Sequence, residues 1–218
     1  MLELLTKELD AHRHPENARQ MENYMKNHFP FFGIKTPERR KITTQFLKET
    51  GLSKQPFNSE FVLELWEKDE REYQNIALDY IEIKLQNISK EHISLLEKLI
   101  TTKSWWDTVD MLAQKPIGKI AADSSEVIHE SIEDWSTNEN MWLRRTSILF
   151  QLKYKEKTDE ELLYKYIKRN TDSKEFFIQK AIGWALREYS KTNPNSVRTF
   201  IQQNALAKLS IREGSKYI

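Results

Sequence analysis

With 218 residues, the chain is long enough for one domain or one short repeat array that buries roughly 70% of the surface its unfolded form exposes, so no covalent staple is needed. Cysteine is absent, which excludes disulfides, thiolate nucleophiles and thiolate metal sites and suits a reducing compartment. The formal net charge of +1 conceals an uneven distribution: residues 60–100 carry ten acids against five bases, whereas residues 141–191 carry twelve bases against seven acids.

The first segment, MLELLTKELDAHRH, sets Leu2, Leu5 and Leu9 on one helix face and lacks the unbroken apolar core of a secretory leader. No export is expected, and cytoplasmic residence is the default. Thr36-Pro37 reads as a capping side chain before a proline at the first helical position. In FVLELW, Phe61, Leu65 and Trp66 share a face, and no apolar run anywhere approaches the ~18 residues of a membrane span. Asn193-Pro194 repeats the start signal, and Ser210 with Glu213 has the spacing of a capping box that opens a last short helix toward Ile218. Apolar spacings of three and four recur throughout, with only five glycines and six prolines. The expected fold is all-α, with about a dozen helices in antiparallel pairs.

An internal repeat supports this organisation. At an offset of 69 residues Trp66 falls on Trp135, Tyr73 on Trp142 and IALDYI on RTSILF; at 67, Leu95, Leu96 and Ile100 fall on Leu162, Leu163 and Ile167, and Ser104 then returns opposite Ser173. Repeated helical pairs cannot bury their apolar faces alone, so they are expected to stack into a curved superhelix with a concave binding face. No linker divides the chain, and residues 1–218 are read as a single domain.

The most unusual segment is KSWWDTVD, Lys103 to Asp110. Four residues separate Trp106 from Asp110, which puts indole and carboxylate side by side on one helix face. Asp107 is explained by the helix dipole and Ser104 by capping; Asp110, deeper in the helix, has no such explanation. A second cluster, MWLRRTSILFQLKYK, carries the adjacent Arg144 and Arg145, which must diverge around the helix, and Lys153. In a third, EFFIQKAIGWALREY, Trp184 and Arg187 share a face and Phe176 with Lys180 reads as another. Tyr24, in RQMENYMKNHF, adds an aromatic residue beside bases near the N-terminus. Bases interleaved with aromatics suit a polyanionic partner, through release of its condensed counterions, although a solvated charged helix face gives the same pattern. Trp66, Trp135 and Trp142 occupy repeat positions and read as core. The five histidines form no ligand-like pair with a carboxylate, so no metal site is expected.

Taken together, SWWDTVD at 104–110, NMWLRRTSILFQLKYK at 140–155 and KEFFIQKAIGWALREYSKTNP at 174–194 identify a resemblance over essentially the whole chain. The sequence resembles the AlkD family of bacterial DNA alkylation repair enzymes, built from HEAT-like helical repeats. Relatives are expected to continue somewhat beyond the position of Ile218. The resemblance implies a glycosylase that removes cationic N3- and N7-alkylpurines from double-stranded DNA, with neither metal nor organic cofactor, and working as a monomer. It implies Asp110 as the catalytic carboxylate, Trp106 and Trp184 as contacts to the damaged nucleotide, and Arg145, Tyr24 and Arg187 as DNA contacts; Lys153, in the basic second cluster, is expected to contact DNA with them. An alkylated purine is already a good leaving group, so the expected work of Asp110 is to stabilise an oxocarbenium-like sugar without a deep base-flipping pocket. The alternative is a non-catalytic repeat protein that binds DNA or protein partners.

Overall fold

A computed structural model describes residues 2–218, which are helical throughout with no strand among them. They divide into two compact units, residues 2–88 and 89–218. None of the described helices is long and apolar enough to cross a membrane.

The first unit holds α1 (Leu2–Ala11), α2 (Pro15–Tyr24), α3 (Thr36–Glu49), α4 (Ser59–Glu67) and α5 (Arg71–Ile83). Leu5 and Leu9 are fully buried, as the N-terminal pattern requires, and Phe61, Leu65 and Trp66 of α4 are buried with them. The chain between α2 and α3 is fastened by Glu72, whose buried carboxylate accepts the backbone N–H groups of Phe32, Gly33 and Ile34 at 3.0, 2.8 and 3.1 Å. Gly33 has φ +90, and its Cα lies against the His14–Ala18 backbone with no room for a side chain. The start of α3 departs from expectation by one residue. Lys35 is the residue before the helix, Thr36 is already helical, and no side chain caps this end. Proline at the second position supplies the preset φ instead.

The second unit holds α6 (Ile93–Thr101), α7 (Trp106–Leu112), α8 (Gly118–Asp123), α9 (Glu133–Trp135), α10 (Met141–Leu149), α11 (Glu160–Lys168), α12 (Phe176–Tyr189), α13 (Pro194–Gln203) and α14 (Lys208–Gly214). All but α12 span ten residues or fewer, too short to persist alone in water, so tertiary packing must stabilise them. That packing comes from Ile148, Leu149, Leu163, Ile167, Ile178, Ile182, Leu186 and Val197, each buried and each contributing on the order of 1.5–3 kcal/mol.

The repeat is visible in these elements. Trp66 and Trp135 lie in the last turn of α4 and α9, Tyr73 and Trp142 in the first turn of α5 and α10, and the leucine sets fall on α6 and α11. All four aromatic residues are buried. Asn193 caps α13 as expected, accepting the N–H of Ser196 at 3.2 Å. The proposed capping box at Ser210 does not form. α14 has already begun at Lys208, and the buried Ser210 hydroxyl donates to the Gln179 carbonyl of α12 at 2.8 Å. A last helix is nevertheless present where expected.

Candidate functional site

The segment that carries Asp110 begins with a sharp reversal. Lys103 adopts φ +49, Trp105 is extended at φ −155, and α7 starts at Trp106. Ser104 does not cap it; its hydroxyl donates to Ile100 O at 2.6 Å, closing the helix before. After Leu112 the backbone widens into a π-type turn, Ala113–Ile117, that contains Pro116. Proline has no N–H and its ring crowds the carbonyl four residues back, and the wider turn relieves both problems. Gln114 Nε2 donates to the Asp110 carbonyl at 3.0 Å, tying the backbone of Asp110 to the π turn.

Asp110 lies at a cleft of about 390 Å³ lined also by Trp106, Arg145, Phe176, Phe177, Lys180, Trp184, Arg187 and Glu213. Its side chain keeps 13% of its surface exposed, whereas Arg145 keeps 5%. Arg145 reaches across from α10 with a two-pronged grip: Nε donates to Asp110 Oδ1 at 2.7 Å and Nη2 to Oδ2 at 2.9 Å. Its remaining nitrogen, Nη1, donates to the carbonyl of Phe177 at the start of α12. One guanidinium therefore joins α7, α10 and α12. Burial pushes the Asp110 carboxyl up from its ordinary range, the Arg145 hydrogen bonds and charge pull it down, and nearby Asp107 adds to the rise. Beneath this pair lies an aromatic cluster: Trp105 packs on Trp142 and Phe177 with ring centroids 5.8 and 5.0 Å apart, and Trp142 on Phe177 at 5.1 Å.

Trp106 with Asp110 and Trp184 with Arg187, paired by spacing on their own helices and expected at one site from the family resemblance, all line the cleft. Arg145 is there too, but it is bound to the carboxylate rather than presented to solvent as a backbone contact would be. Arg144, its neighbour, instead ties down the loop before α10 by donating to the carbonyls of Asn138 and Glu139 at 2.5 and 3.0 Å. Phe176 and Lys180 do not form a separate face. With Trp184 and Arg187 they make one stripe along α12 at spacings of four, four and three. Lys153 is exposed on the turn after α10 and is not among the cleft residues. Tyr24, at the end of α2 in the first unit, is 68% exposed.

Two cleft residues, Phe177 and Glu213, are not expected at the site from the sequence, where Glu213 reads only as part of a capping box. Phe177 contributes its carbonyl to Arg145 and its ring to the aromatic cluster. Glu213 comes from α14, where it is surrounded by bases: Lys216 at 2.8 Å, Arg187 at 3.2 Å, Lys180 at 3.4 Å and Arg212 at 3.7 Å. The Lys216 hydrogen bond, with Lys180, holds its carboxyl down at about 2. Among the described residues, no group of three or more His, Asp or Glu is arranged to hold a metal ion.

The fold and this cleft, with its largely buried carboxylates among indoles and cations, define a class of helical protein that comparison with known sequences and structures makes specific. Residues 5–218 match the DNA alkylation repair enzyme family, and the chain belongs to that family. A solved structure described as a predicted DNA alkylation repair enzyme from Enterococcus faecalis is 38% identical; the match covers 94% of this chain and 96% of that one with a TM-score of 0.87. A second, the smu.31 protein of Streptococcus mutans UA159, shares the fold at a TM-score of 0.60 with 14% identity, over 83% of this chain and 99% of that one. No curated protein sequence matches. Family membership supports a role in the repair of alkylated DNA, which implies DNA as the substrate.

Proposed function

We propose that the protein is a DNA glycosylase that hydrolyses the N-glycosidic bond of N3- and N7-alkylated purines in duplex DNA. The observation that carries this reading is the Asp110 carboxylate, anchored by Arg145 and still reachable from a cleft that Trp106 and Trp184 also line. Alkylation at N3 or N7 makes the purine cationic, so it departs as a neutral base with the bonding electron pair and no general acid is needed. The sugar left behind is oxocarbenium-like, and a nearby carboxylate stabilises it.

The hydrogen-bond inventory of Asp110 suits two tasks. An ionised carboxylate has about four acceptor positions, and Arg145 takes two of them. Of the remaining positions, one suffices to accept a proton from the attacking water and another to face the sugar. Water then adds its oxygen to the anomeric carbon and loses a proton, leaving an abasic site and the free base. The indoles contribute cation–π attraction of ~0.5–2 kcal/mol each to a positively charged nucleotide. The open cleft leaves room for bulky adducts, consistent with chemistry at the sugar rather than in a closed base pocket.

The test is single-turnover release of N7-methylguanine from duplex DNA. The parent protein is expected to release the free base. Asp110→Asn, which keeps the shape and removes the charge, is expected to bind the duplex while losing excision by about a hundredfold or more, in line with removal of a dominant electrostatic group. Binding without release by the parent itself would establish the non-catalytic alternative, and equal excision by both proteins would remove Asp110 from the chemistry.

A further inference from the structure

Glu213 is a second carboxylate in the same cleft, and its surroundings are the opposite of those of Asp110. It keeps 10% of its side-chain surface exposed and faces four bases, Lys180, Arg187, Arg212 and Lys216, so the group as a whole carries a surplus of three positive charges. A carboxyl held at about 2 is ionised at every pH at which the fold is useful, so it has no proton to exchange near neutrality. Its place is set by close packing. A side chain on Gly183 of α12 would put its Cβ 2.6 Å from the Cβ of Glu213, and Ser210 of α14 is bonded to Gln179 of α12. Glycine at 183, directly before Trp184, thus lets α14 approach closely enough for Glu213 to reach the cleft.

The key detail is what Glu213 leaves available. Arg187 is 27% exposed in its side chain and uses only Nη1 to reach Glu213 Oε2; among the described residues its Nε and Nη2 have no protein acceptor. Lys180 stands 3.4 Å from Oε1, 38% exposed, and has no other acid near it among the described residues. A guanidinium fixed by one nitrogen and open along its other edge is preorganised for a tetrahedral oxyanion, since planar N–H pairs match phosphate geometry.

We propose that Glu213 is a positioning residue that holds Arg187 and Lys180 as a two-point clamp for one phosphodiester of the DNA strand that carries the lesion. The proposal rests on the DNA reading of the cleft given above and names the group of the substrate that its basic edge receives. Glu213 touches neither the base nor the reacting sugar. It acts through the two bases of α12, restricting side chains that otherwise lose substantial rotamer freedom when a phosphate is bound.

The experiment compares the parent with Glu213→Gln, Arg187→Ala and the double variant. Binding to a duplex with one N7-methylguanine, and to the same duplex unmodified, is followed by fluorescence anisotropy over a range of salt. Single-turnover excision supplies the half-saturating protein concentration and the rate at saturation, and thermal melting shows that each variant is folded. Glu213→Gln is expected to raise the half-saturating concentration on lesion DNA by about five- to tenfold while leaving the saturated rate near that of the parent. Because a negative charge is lost, its affinity for unmodified duplex is expected to hold or increase. In the Arg187→Ala background the Glu213 substitution is expected to add little, the non-additivity of two residues acting as one unit.

Half-saturation within twofold of the parent, or fully additive effects in the double variant, would overturn the clamp. So would parallel losses of affinity for both duplexes accompanied by a lowered melting temperature, because that pattern belongs to a structural carboxylate. If the parent binds duplex DNA in a salt-dependent way but releases no base, the glycosylase reading fails and the anisotropy arm still decides the clamp. If the parent does not bind duplex DNA at all, both fall.

Discussion

A buried carboxylate and a buried guanidinium that share two hydrogen bonds have to be treated as one object. Removing Arg145 leaves Asp110 charged and largely out of water, so Arg145→Ala is expected to destabilise the fold by about 3–5 kcal/mol, measured as a drop in chemical or thermal stability. Arg145→Lys is the more informative change, since the positive charge stays and the fork is lost. Burial then acts on the Asp110 carboxyl with less opposition, and its titration moves further up. In the proposed mechanism excision uses the ionised form, so the rate in the parent is expected to fall as pH drops through the range where Asp110 protonates, above that of a free aspartate. In Arg145→Lys this acid limb is expected at higher pH still, and single-turnover rates across pH would reveal it. An unmoved limb would mean that Asp110 is not the titrating group. The adjacency of Trp106 and Asp110 is legible from a four-residue spacing. The partnership with Arg145 is not, because 35 residues and two elements separate the pair and nothing local distinguishes Arg145 from Arg144.

At the level of elements, helix existence was readable and helix ends less so. Asn193 caps α13 with its side-chain oxygen while its amide reaches Glu160 at 3.4 Å, so the tertiary contact leaves the capping atom free for the helix. Ser210 has the same local qualification but a tertiary partner, the Gln179 carbonyl, takes its hydroxyl. Competition of that kind is invisible in one dimension, as is the role of Gly183. A methyl group there meets the Cβ of Glu213 at 2.6 Å and the Ser210 carbonyl at 3.1 Å, both fixed by helical backbone. Gly183→Ala is expected to lower stability by about 1–3 kcal/mol through overpacking, despite alanine's better helix propensity. A denaturant titration that showed unchanged or higher stability would mean α14 can move away at no cost. The stripe of Phe176, Lys180, Trp184 and Arg187 was within reach of the sequence and was split in two only by pairing residues instead of following the helix across three turns.

Over the whole molecule, the shifted carboxyls pull in both senses on acidification: Glu72 of the first unit and Asp110 of the second are raised, whereas Glu133 and Glu213 of the second are lowered. In the second unit Glu133 is held at about 2, foremost by Lys165 and also by Arg169 and Tyr166, and Glu213 sits at about 2 as well. A carboxyl lowered on folding contributes stability that is complete above its unfolded value, near 4.5, and is lost as pH falls toward 2. In the first unit Glu72 is raised by burial, more than the backbone N–H groups it accepts can offset. Protonation of Glu72 during the same descent therefore favours its folded form. Hydrogen exchange resolved along the chain is expected to show residues 89–218 losing protection from about pH 4.5 downward, ahead of what Glu72 alone would produce in residues 2–88. Equal loss along the whole chain would argue that the cation clusters around Glu133 and Glu213 contribute little.

The placement of the tryptophans gives the protein an optical probe of its own. Five of the six indoles, at 105, 106, 135, 142 and 184, belong to the second unit; Trp106 and Trp184 line the cleft, and Trp105 and Trp142 pack on Phe177, which also lines it. A cationic purine that stacks near Trp106 or Trp184 accepts an electron from the excited ring, so emission should dim when damaged DNA is engaged and recover once the neutral base has left. Stopped-flow fluorescence would then follow recognition and bond cleavage as two phases in an unlabelled chain.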